Sequence, residues 1–258
     1  MVFYNTINPV ITSIGPFEIR YYGLIYALGF IMAYFMMSYF AKKKLVGLDK
    51  EDVSDLLVYV IIGSLLGARL FYIFIYNSGY YLVHPIEVFS VWLGGLSFHG
   101  GLVGAVTGAY IFWRKRKFDF WNVADLIMVP LALGLCLGRI GNFINGELYG
   151  RVTSLPWGVK FKDADEFRHP SQLYESMKNL TIFTTLWFLK DRKMPKGFMF
   201  FTFITMYGTL RFFIEFTRQP DSQIGFVIFN LSMGQLLCLP MIAIGSFMLA
   251  RIWRRKHI

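Results

Sequence analysis

Seven apolar segments, each close to the length of a membrane-spanning helix, dominate this sequence of 258 residues. They are residues 21–40, 53–76, 92–113, 121–142, 172–189, 197–216 and 226–252. An α-helix needs about 20 apolar residues to cross the hydrocarbon core of a bilayer. Hydrophobic residues make up 55% of the chain and charged residues only 16%, a balance that excludes an ordinary soluble domain. The sequence therefore predicts an all-α polytopic membrane protein with seven transmembrane helices, in which Glu175 and Lys178 make the fifth segment the weakest.

Basic residues alternate with these segments along the chain. They follow the first, third, fifth and seventh segments: Lys42, Lys43, Lys44 and Lys50; Arg114, Lys115, Arg116 and Lys117; Lys190, Arg192, Lys193 and Lys196; Arg251, Arg254, Arg255 and Lys256. The loop 77–91 has none. Loops rich in Lys and Arg stay on the cytoplasmic side, so the N-terminus is predicted outside and the C-terminus in the cytoplasm. This pattern also accounts for the net charge of +10, which in a soluble protein would suggest that the protein binds nucleic acid.

The end of the fourth segment carries polar residues where a bilayer favours apolar ones. Residues 138–147 read G-R-I-G-N-F-I-N-G-E, and include Arg139, Asn142 and Asn145. A charge at membrane depth is costly, which favours a functional interpretation. Arg139 and Asn142 share a helix face, where a guanidinium can hold a phosphate, and the obvious intramembrane anion is a phospholipid headgroup. The alternative is an arginine whose side chain extends to the membrane interface.

Ionisable residues from other segments are predicted at the same depth. Under the predicted topology, His99 in the third segment and Arg211 in the sixth lie on the outer side with Arg139. Arg69 in the second segment and Tyr22 in the first also fall there. These residues together predict an anion-binding site in the outer leaflet.

The sixth segment carries a polar stripe. Tyr207, Arg211, Glu215 and Arg218 stand at i, i+4, i+8 and i+11, which places them on one helix face. Arg211 and Glu215 can pair, and this pairing lowers the cost of holding either in the membrane. A buried structural ion pair without a ligand is the alternative interpretation.

The third segment is rich in glycine. Its glycines, or those just before it, are Gly94, Gly95, Gly100, Gly101, Gly104 and Gly108. Most of them are expected to serve close helix packing. Gly100 and Gly101 follow His99 directly and would leave its imidazole open to a substrate, although a lone histidine is often a satisfied core residue. Asp125 lies near the cytoplasmic end of the fourth segment, where a structural or interfacial role is expected.

The chain is predicted to form one integral-membrane domain, residues 1–258, with a small extracytoplasmic cap. Residues 143–171 are its long hydrophilic stretch, with strand character over 157–161. Cys136 and Cys238 are expected to be small buried hydrophobes. None of the histidines, His84, His169 and His257 included, has a metal-ligand spacing, so we expect neither a metal nor a cofactor.

Several motifs together resemble one family. Residues 138–150, G-R-I-G-N-F-I-N-G-E-L-Y-G, resemble the signature of the prolipoprotein diacylglyceryl transferases. The segments R-Y-Y-G at 20–23, G-G-L-S-F-H-G-G at 94–101, R-H-P-S-Q-L-Y-E at 168–175 and the stretch 207–221 are similar to other parts of that family. The resemblance covers the whole chain, with Tyr21 as a modest departure where members often carry Trp.

The resemblance implies a multi-pass enzyme of the bacterial cytoplasmic membrane whose active site faces the outer leaflet. Such enzymes transfer the diacylglyceryl group of phosphatidylglycerol to the lipobox cysteine thiol of a prolipoprotein and release glycerol-1-phosphate. The expected catalytic residues are His99 as general base and Arg139 and Arg211 as the phosphate clamp. The expected substrate-binding residues are Tyr22, Gly100, Arg139, Asn142, Asn145, Glu147, Gly150, Tyr207 and Glu215. Among these, Glu147 and Glu215 would orient the arginines and Tyr22 would lie at the lipid entrance.

A transporter or flippase for an anionic lipid or solute is the alternative. It would use the same arginines for binding and would need no base. Transporters usually show internal repeats and polar residues over the full membrane depth. This sequence has no evident repeat, and its polar residues are predicted in one leaflet, which favours the enzyme. A third alternative is an enzyme that acts on phospholipid headgroups in a different reaction. Only the match to the family signature argues against it.

Overall fold

The computed structural model describes residues 3–15, 17–90, 94–219 and 225–256. Within these residues there are eight α-helices, which are α1 (Tyr21–Lys42), α2 (Lys50–Phe71), α3 (Ser78–Val83), α4 (Phe98–Arg116), α5 (Phe120–Asn145), α6 (Ser171–Leu189), α7 (Phe198–Ile214) and α8 (Met233–Lys256). The strands are β1 (Phe3–Tyr4), β2 (Val10–Ile14), β3 (Phe17–Arg20), β4 (Val159–Lys160), β5 (Phe226–Ile228) and β6 (Leu231–Ser232). They form three two-stranded sheets.

Five of the described helices are long and apolar enough to cross a membrane. They span Tyr21–Lys42, Lys50–Tyr76, Phe120–Asn145, Phe198–Thr217 and Met233–Arg255. The chain is therefore a polytopic, mostly helical membrane protein. Helices α4 and α6 are not among the five, because α4 combines many glycines with a basic last turn and α6 carries buried polar side chains.

Two predicted helix starts were wrong. The seventh apolar segment does not begin its helix at Phe226, because β5 and β6 form a hairpin there with positive φ angles at Phe229 (49°) and Asn230 (57°). Helix α4 begins at Phe98, after Gly94 and Gly95 with φ of 86° and 75°, rather than at 92. Backbone in the left-handed region cannot continue a right-handed helix.

Several residues named from the sequence lie outside the described residues: Trp92, Pro220, Asp221 and His257.

The chain divides into two compact units, one of residues 1–37 and 121–258 and the other of residues 38–120. In the second unit, α2 and α4 approach closely through glycines. A Cβ atom on Gly104 would lie 2.8 Å from the Gly63 carbonyl carbon and 3.0 Å from the Gly67 Cα. Arg116 at the end of α4 contacts Asp52 at 3.2 Å near the start of α2. The predicted packing role is confirmed for Gly100, Gly104 and Gly108, where a Cβ would meet the backbone of α2.

We expect Gly104→Ala to destabilise the α2–α4 pair by about 1–3 kcal/mol, because the new methyl group has no space between the two backbones. Thermal unfolding of the detergent-solubilised protein would measure the loss. Gly134→Ala on α5 is the matched control, since a Cβ there meets nothing within 4 Å. Equal unfolding temperatures for the two variants would contradict the packing role.

Arg69 is a structural residue of the second unit. Its side chain is buried, and it donates hydrogen bonds to the carbonyl oxygens of five residues: Glu87, Val88, Ser90, Gly94 and Gly95. These bonds hold the loop after α3 against the end of α2. Because its guanidinium donors are used by the backbone, Arg69 does not join the anion-binding residues with which the sequence grouped it.

In the first unit, the residues after α5 fold back onto the end of that helix. Val159, Phe161 and Ala164 form a small core with Phe143 and Tyr149. Strand β4 at residues 159–160 confirms the strand character expected there, and it pairs in parallel with β1 near the N-terminus. This N-terminal contribution is not evident from the sequence.

Asp125 and the cysteines have the structural roles that the sequence indicated. The Asp125 carboxylate accepts hydrogen bonds from the backbone N–H groups of Gly197 and Phe200, both at 2.8 Å, and so caps the start of α7. Cys136 and Cys238 are buried free thiols.

Candidate active site

A fully buried carboxylate, Glu175 on α6, lies at the centre of a group of basic side chains. Arg211 on α7 donates a hydrogen bond to its Oε1 atom. Lys178 Nζ lies 2.8 Å from Oε2, and Arg139 Nε on α5 lies 3.9 Å from the same oxygen. A buried charge is tolerated only when it is paired, so these contacts explain how three helices share this residue.

A second buried carboxylate, Glu215, extends the group. It begins the short 3-10 helix after α7, where its Oε2 lies 2.7 Å from Arg211 Nη2 and 3.6 Å from Arg218 Nε. Ser232 donates a hydrogen bond of 3.1 Å to Oε1. A Cβ on Gly234 would lie 2.7 Å from that oxygen, so glycine leaves room for the carboxylate. The predicted Arg211–Glu215 pair is confirmed.

We call these linked residues the charged cluster. Its members are Arg139, Glu175, Lys178, Arg211, Glu215 and Arg218. Arg139 is the most exposed of them, with 23% of its side chain accessible. Its partial exposure leaves Arg139 the member best placed to meet a ligand.

The asparagines of the signature connect the charged cluster to Glu147. Arg139 Nη1 donates to Asn142 Oδ1 at 3.4 Å, and Asn142 Nδ2 donates to Glu147 Oε1 at 2.7 Å. Asn145 Nδ2 lies 3.3 Å from the same Glu147 oxygen. Glu147 is exposed and reaches Arg139 through Asn142. The arrangement holds amide and guanidinium donors side by side along α5.

Polar residues on α6 support this arrangement, although they were not among the predicted site residues. Gln172 Nε2 donates to the Glu147 carbonyl at 2.7 Å, and Ser171 Oγ donates to the Leu148 carbonyl at 3.0 Å. Both side chains are buried, as are Glu175 and Lys178. The available signal was their spacing of three to four residues, which predicts a polar helix face turned towards protein.

Tyr207 and Tyr22 lie beside the two ends of this arrangement. Tyr207 lies on α7, one turn before Arg211. The centroid of its ring is 3.6 Å from Lys178 Nζ. Tyr22, on the first turn of α1, packs against α5, because a Cβ on Gly141 would lie 3.0 Å from its ring. The structure therefore places Tyr22 against the segment of α5 that carries the signature residues.

Gly150 joins the cap to the segment after α7. Its N–H donates to the His169 carbonyl at 2.8 Å, and it forms a bridge with Arg218. A Cβ on Gly150 would lie 2.8 Å from the His169 Cβ. Arg151 Nε also donates to the Arg218 carbonyl at 2.7 Å. Glycine at 150 thus lets the cap hold the backbone that carries Arg218.

The surroundings of His169 in the cap disfavour the charged form of its imidazole. Burial, together with the nearby charge of Arg151, lowers the pKa of its imidazole below the usual value. Its Nδ1 lies 3.3 Å from the Tyr174 hydroxyl, which also accepts a hydrogen bond from Trp157 Nε1 at 2.8 Å. These contacts fix the end of the cap at the start of α6.

His99 and Gly100 belong to the unit of residues 38–120, whereas the charged cluster belongs to the other unit. The His99 side chain is exposed on the first turn of α4, beside the Phe98 ring. Gly100 is buried, and a Cβ there would lie 2.9 Å from Phe71 Cγ. Its N–H donates to Ser97 Oγ at 3.2 Å, which caps α4. Gly100 therefore has a packing role that does not depend on a ligand.

Comparisons with known proteins cover nearly the whole chain. The family model for prolipoprotein diacylglyceryl transferase matches residues 9–251. The phosphatidylglycerol–prolipoprotein diacylglyceryl transferase of Geobacter sulfurreducens is 46% identical over 97% of this chain and 97% of its own length. The enzymes of that name from Aeromonas salmonicida and Coxiella burnetii are each 42% identical, over 99% and 100% of this chain and 94% and 100% of their own lengths. The chain belongs to the prolipoprotein diacylglyceryl transferase family.

Proposed function

We propose that this chain transfers the diacylglyceryl group of phosphatidylglycerol to the thiol of a lipobox cysteine in a prolipoprotein. The observation that carries this proposal is the near full-length match to enzymes named for that reaction. The charged cluster supports it, because it supplies the basic side chains that a lipid phosphate requires. The enzyme class, a transferase, follows from the same relatives.

The membrane arrangement is part of the proposal. All seven long helices cross the bacterial cytoplasmic membrane as a single domain, with the N-terminus outside and the C-terminus in the cytoplasm. The basic residues between the helices support this orientation. Helices α4 and α6 are the two less apolar spans. The buried polar side chains of α6 support its inclusion, because they face protein and not lipid. The charged cluster then lies towards the outer leaflet, below the cap of residues 143–171.

Arg139 and Arg211 serve as the phosphate clamp. The thiolate sulfur bonds to the terminal carbon of the diacylglyceryl group, and the bond between that carbon and the phosphate oxygen breaks. The electron pair of this bond passes to the oxygen, and glycerol-1-phosphate leaves. Guanidinium groups fixed beside the phosphate stabilise the charge that grows there in the transition state. Asn142, Asn145 and Tyr207 add hydrogen bonds to the lipid headgroup.

His99 acts as the general base that takes the thiol proton. A free thiol has a pKa of about 8.5, so little thiolate exists at neutral pH without a base. An imidazole is the side chain that most often serves as a general base, and the His99 side chain is exposed. Gly100 packs the start of α4, which carries His99, against α2. Gly150 and Glu215 position the arginines. Tyr22 lies at the lipid entrance.

A transfer assay in detergent tests the proposed function. The wild-type protein would be incubated with phosphatidylglycerol and a lipobox peptide, and the peptide mass and the released glycerol-1-phosphate would be measured. We expect a mass gain of one diacylglyceryl group and an equal amount of glycerol-1-phosphate. A peptide with serine in place of the cysteine is the control and should remain unmodified. No mass gain with a folded wild-type protein would contradict the proposal.

We expect His99→Gln to lower kcat/KM by about 100-fold, at the low end of general-base effects, because water can partly replace an exposed imidazole. Raising the pH should restore part of the loss, since more of the peptide thiol is then ionised. The comparison is the pH profile of both proteins between pH 6 and about pH 9. Near wild-type turnover in the folded variant at neutral pH would exclude His99 as the base.

A further inference from the structure

Lys178 is a buried lysine to which the proposed reaction assigns no task. Its side chain is almost inaccessible, on the second turn of α6, and its Nζ contacts Glu175 Oε2 at 2.8 Å and the Tyr207 ring at 3.6 Å. Removing a charge pair from water costs more than the pair usually returns. A contribution to stability therefore does not explain why a lysine is buried at position 178.

The Glu175 carboxylate is shared in an ordered way. Arg211 occupies Oε1. On Oε2, Lys178 holds the close position at 2.8 Å, while Arg139 remains at 3.9 Å. Without the Lys178 ammonium group, Glu175 Oε2 would lose its close partner, and Arg139 would be the nearest remaining cation to this buried oxygen. It would then move onto Glu175, and its guanidinium would lose donors for any ligand.

Lys178 also changes the charge balance of the cluster. Four basic members, Arg139, Lys178, Arg211 and Arg218, meet two acidic ones, Glu175 and Glu215, which leaves an excess of two positive charges. Glu147 is not counted among the charges of the cluster, because its side chain is exposed and contacts Asn142 and Asn145. An excess of positive charge in a dry site favours an anion and disfavours a second cation.

We propose that Lys178 is a positioning and specificity-determining residue: it occupies Glu175 so that Arg139 stays available, and its charge selects an anionic headgroup over a zwitterionic one. This inference rests on the proposed function. A phosphatidylglycerol headgroup carries only the phosphate charge. A phosphatidylethanolamine headgroup adds an ammonium ion, which the cluster repels.

The test compares Lys178→Met and Lys178→Gln with the wild-type protein. Methionine removes the charge and the donor, whereas glutamine removes the charge and can still donate to Glu175. We expect the KM for phosphatidylglycerol to rise about tenfold in Lys178→Met, and kcat to fall as well, because an Arg139 drawn onto Glu175 no longer meets the phosphate. The inhibition of phosphatidylglycerol transfer by added phosphatidylethanolamine should become stronger in both variants. Glycerol-1-phosphate should inhibit both more weakly than it inhibits the wild type.

Two further variants separate the effect of Lys178 on the position of Arg139 from its effect on the net charge of the charged cluster. Lys190→Met is the matched control, because Lys190 is also buried at the end of α6 but pairs with Asp191, outside the cluster. It should keep the wild-type KM. The double variant Glu175→Gln/Lys178→Met restores the charge excess and removes the attraction of Arg139 to residue 175. It should recover most of the phosphatidylglycerol affinity that Lys178→Met loses.

The possible results are distinct. An inactive wild-type protein would overturn the proposed function and not this inference alone. An active wild type with unchanged KM and headgroup preference in both Lys178 variants would overturn the role of Lys178. Loss of folding in both Lys178 variants would also overturn it, because the residue would then be structural.

Discussion

Replacing Arg139 with alanine should lower kcat/KM for diacylglyceryl transfer by about 1,000-fold while the protein remains folded. The loss is expected because a guanidinium that meets the leaving phosphate stabilises charge that grows in the transition state. The fold should survive, since Glu175 keeps Arg211 and Lys178 after the change. Arg139 is also partly exposed, so its removal leaves no large void. Peptide mass, released glycerol-1-phosphate and thermal unfolding would be measured together.

Arg139→Lys separates charge from geometry. Lysine keeps one positive charge but cannot reproduce the planar fork of donors, which also reaches Asn142 at 3.4 Å. We expect Arg139→Lys to recover only part of the activity. Full activity in Arg139→Ala would remove this residue from the phosphate clamp and would leave Arg211 and Arg218 as the remaining arginines of the cluster.

The local parts of the charged cluster could be predicted from the sequence. Arg139 and Asn142 are three residues apart, and Arg211 and Glu215 are four apart, so helical geometry alone brings each pair together. The same reasoning placed the polar residues of α5 and α7 on defined faces. Asp125 was expected to have a structural or interfacial role because it lies at the opposite end of its segment from Arg139, and its carboxylate caps α7.

The parts that depend on tertiary packing could not be predicted. Glu175 and Lys178 looked like interruptions of a weak apolar segment, because nothing in the local sequence reveals that α5 and α7 supply their partners. The pairing of Phe3 with Val159 joins residues distant in the sequence. The hairpin at 226–232 was mistaken for helix because its side chains are as apolar as those of a membrane span.

Replacing Arg211 with alanine should cost both activity and stability, in contrast to Arg139. Arg211 bridges two buried carboxylates, contacting Glu175 through Nη1 and Glu215 through Nη2. Leaving a buried charge without its partner is destabilising by about 3–5 kcal/mol. We therefore expect a marked fall in the unfolding temperature in detergent, and a loss of transfer of about 1,000-fold in the fraction that stays folded.

Glu215→Gln distinguishes the two effects of Arg211. The variant keeps Arg211 and its contact with Glu175, and the amide can still accept the hydrogen bond from Ser232. Arg211→Ala removes the closest basic partner of Glu215, which then keeps only the longer contact with Arg218 at 3.6 Å. In the double variant Arg211→Ala/Glu215→Gln this carboxylate charge is gone, so part of the lost stability should return. Activity should not return with it, because the guanidinium that meets the phosphate is still missing. Recovery of activity together with stability would show that Arg211 acts through the fold alone, and the phosphate clamp would then rest on Arg139.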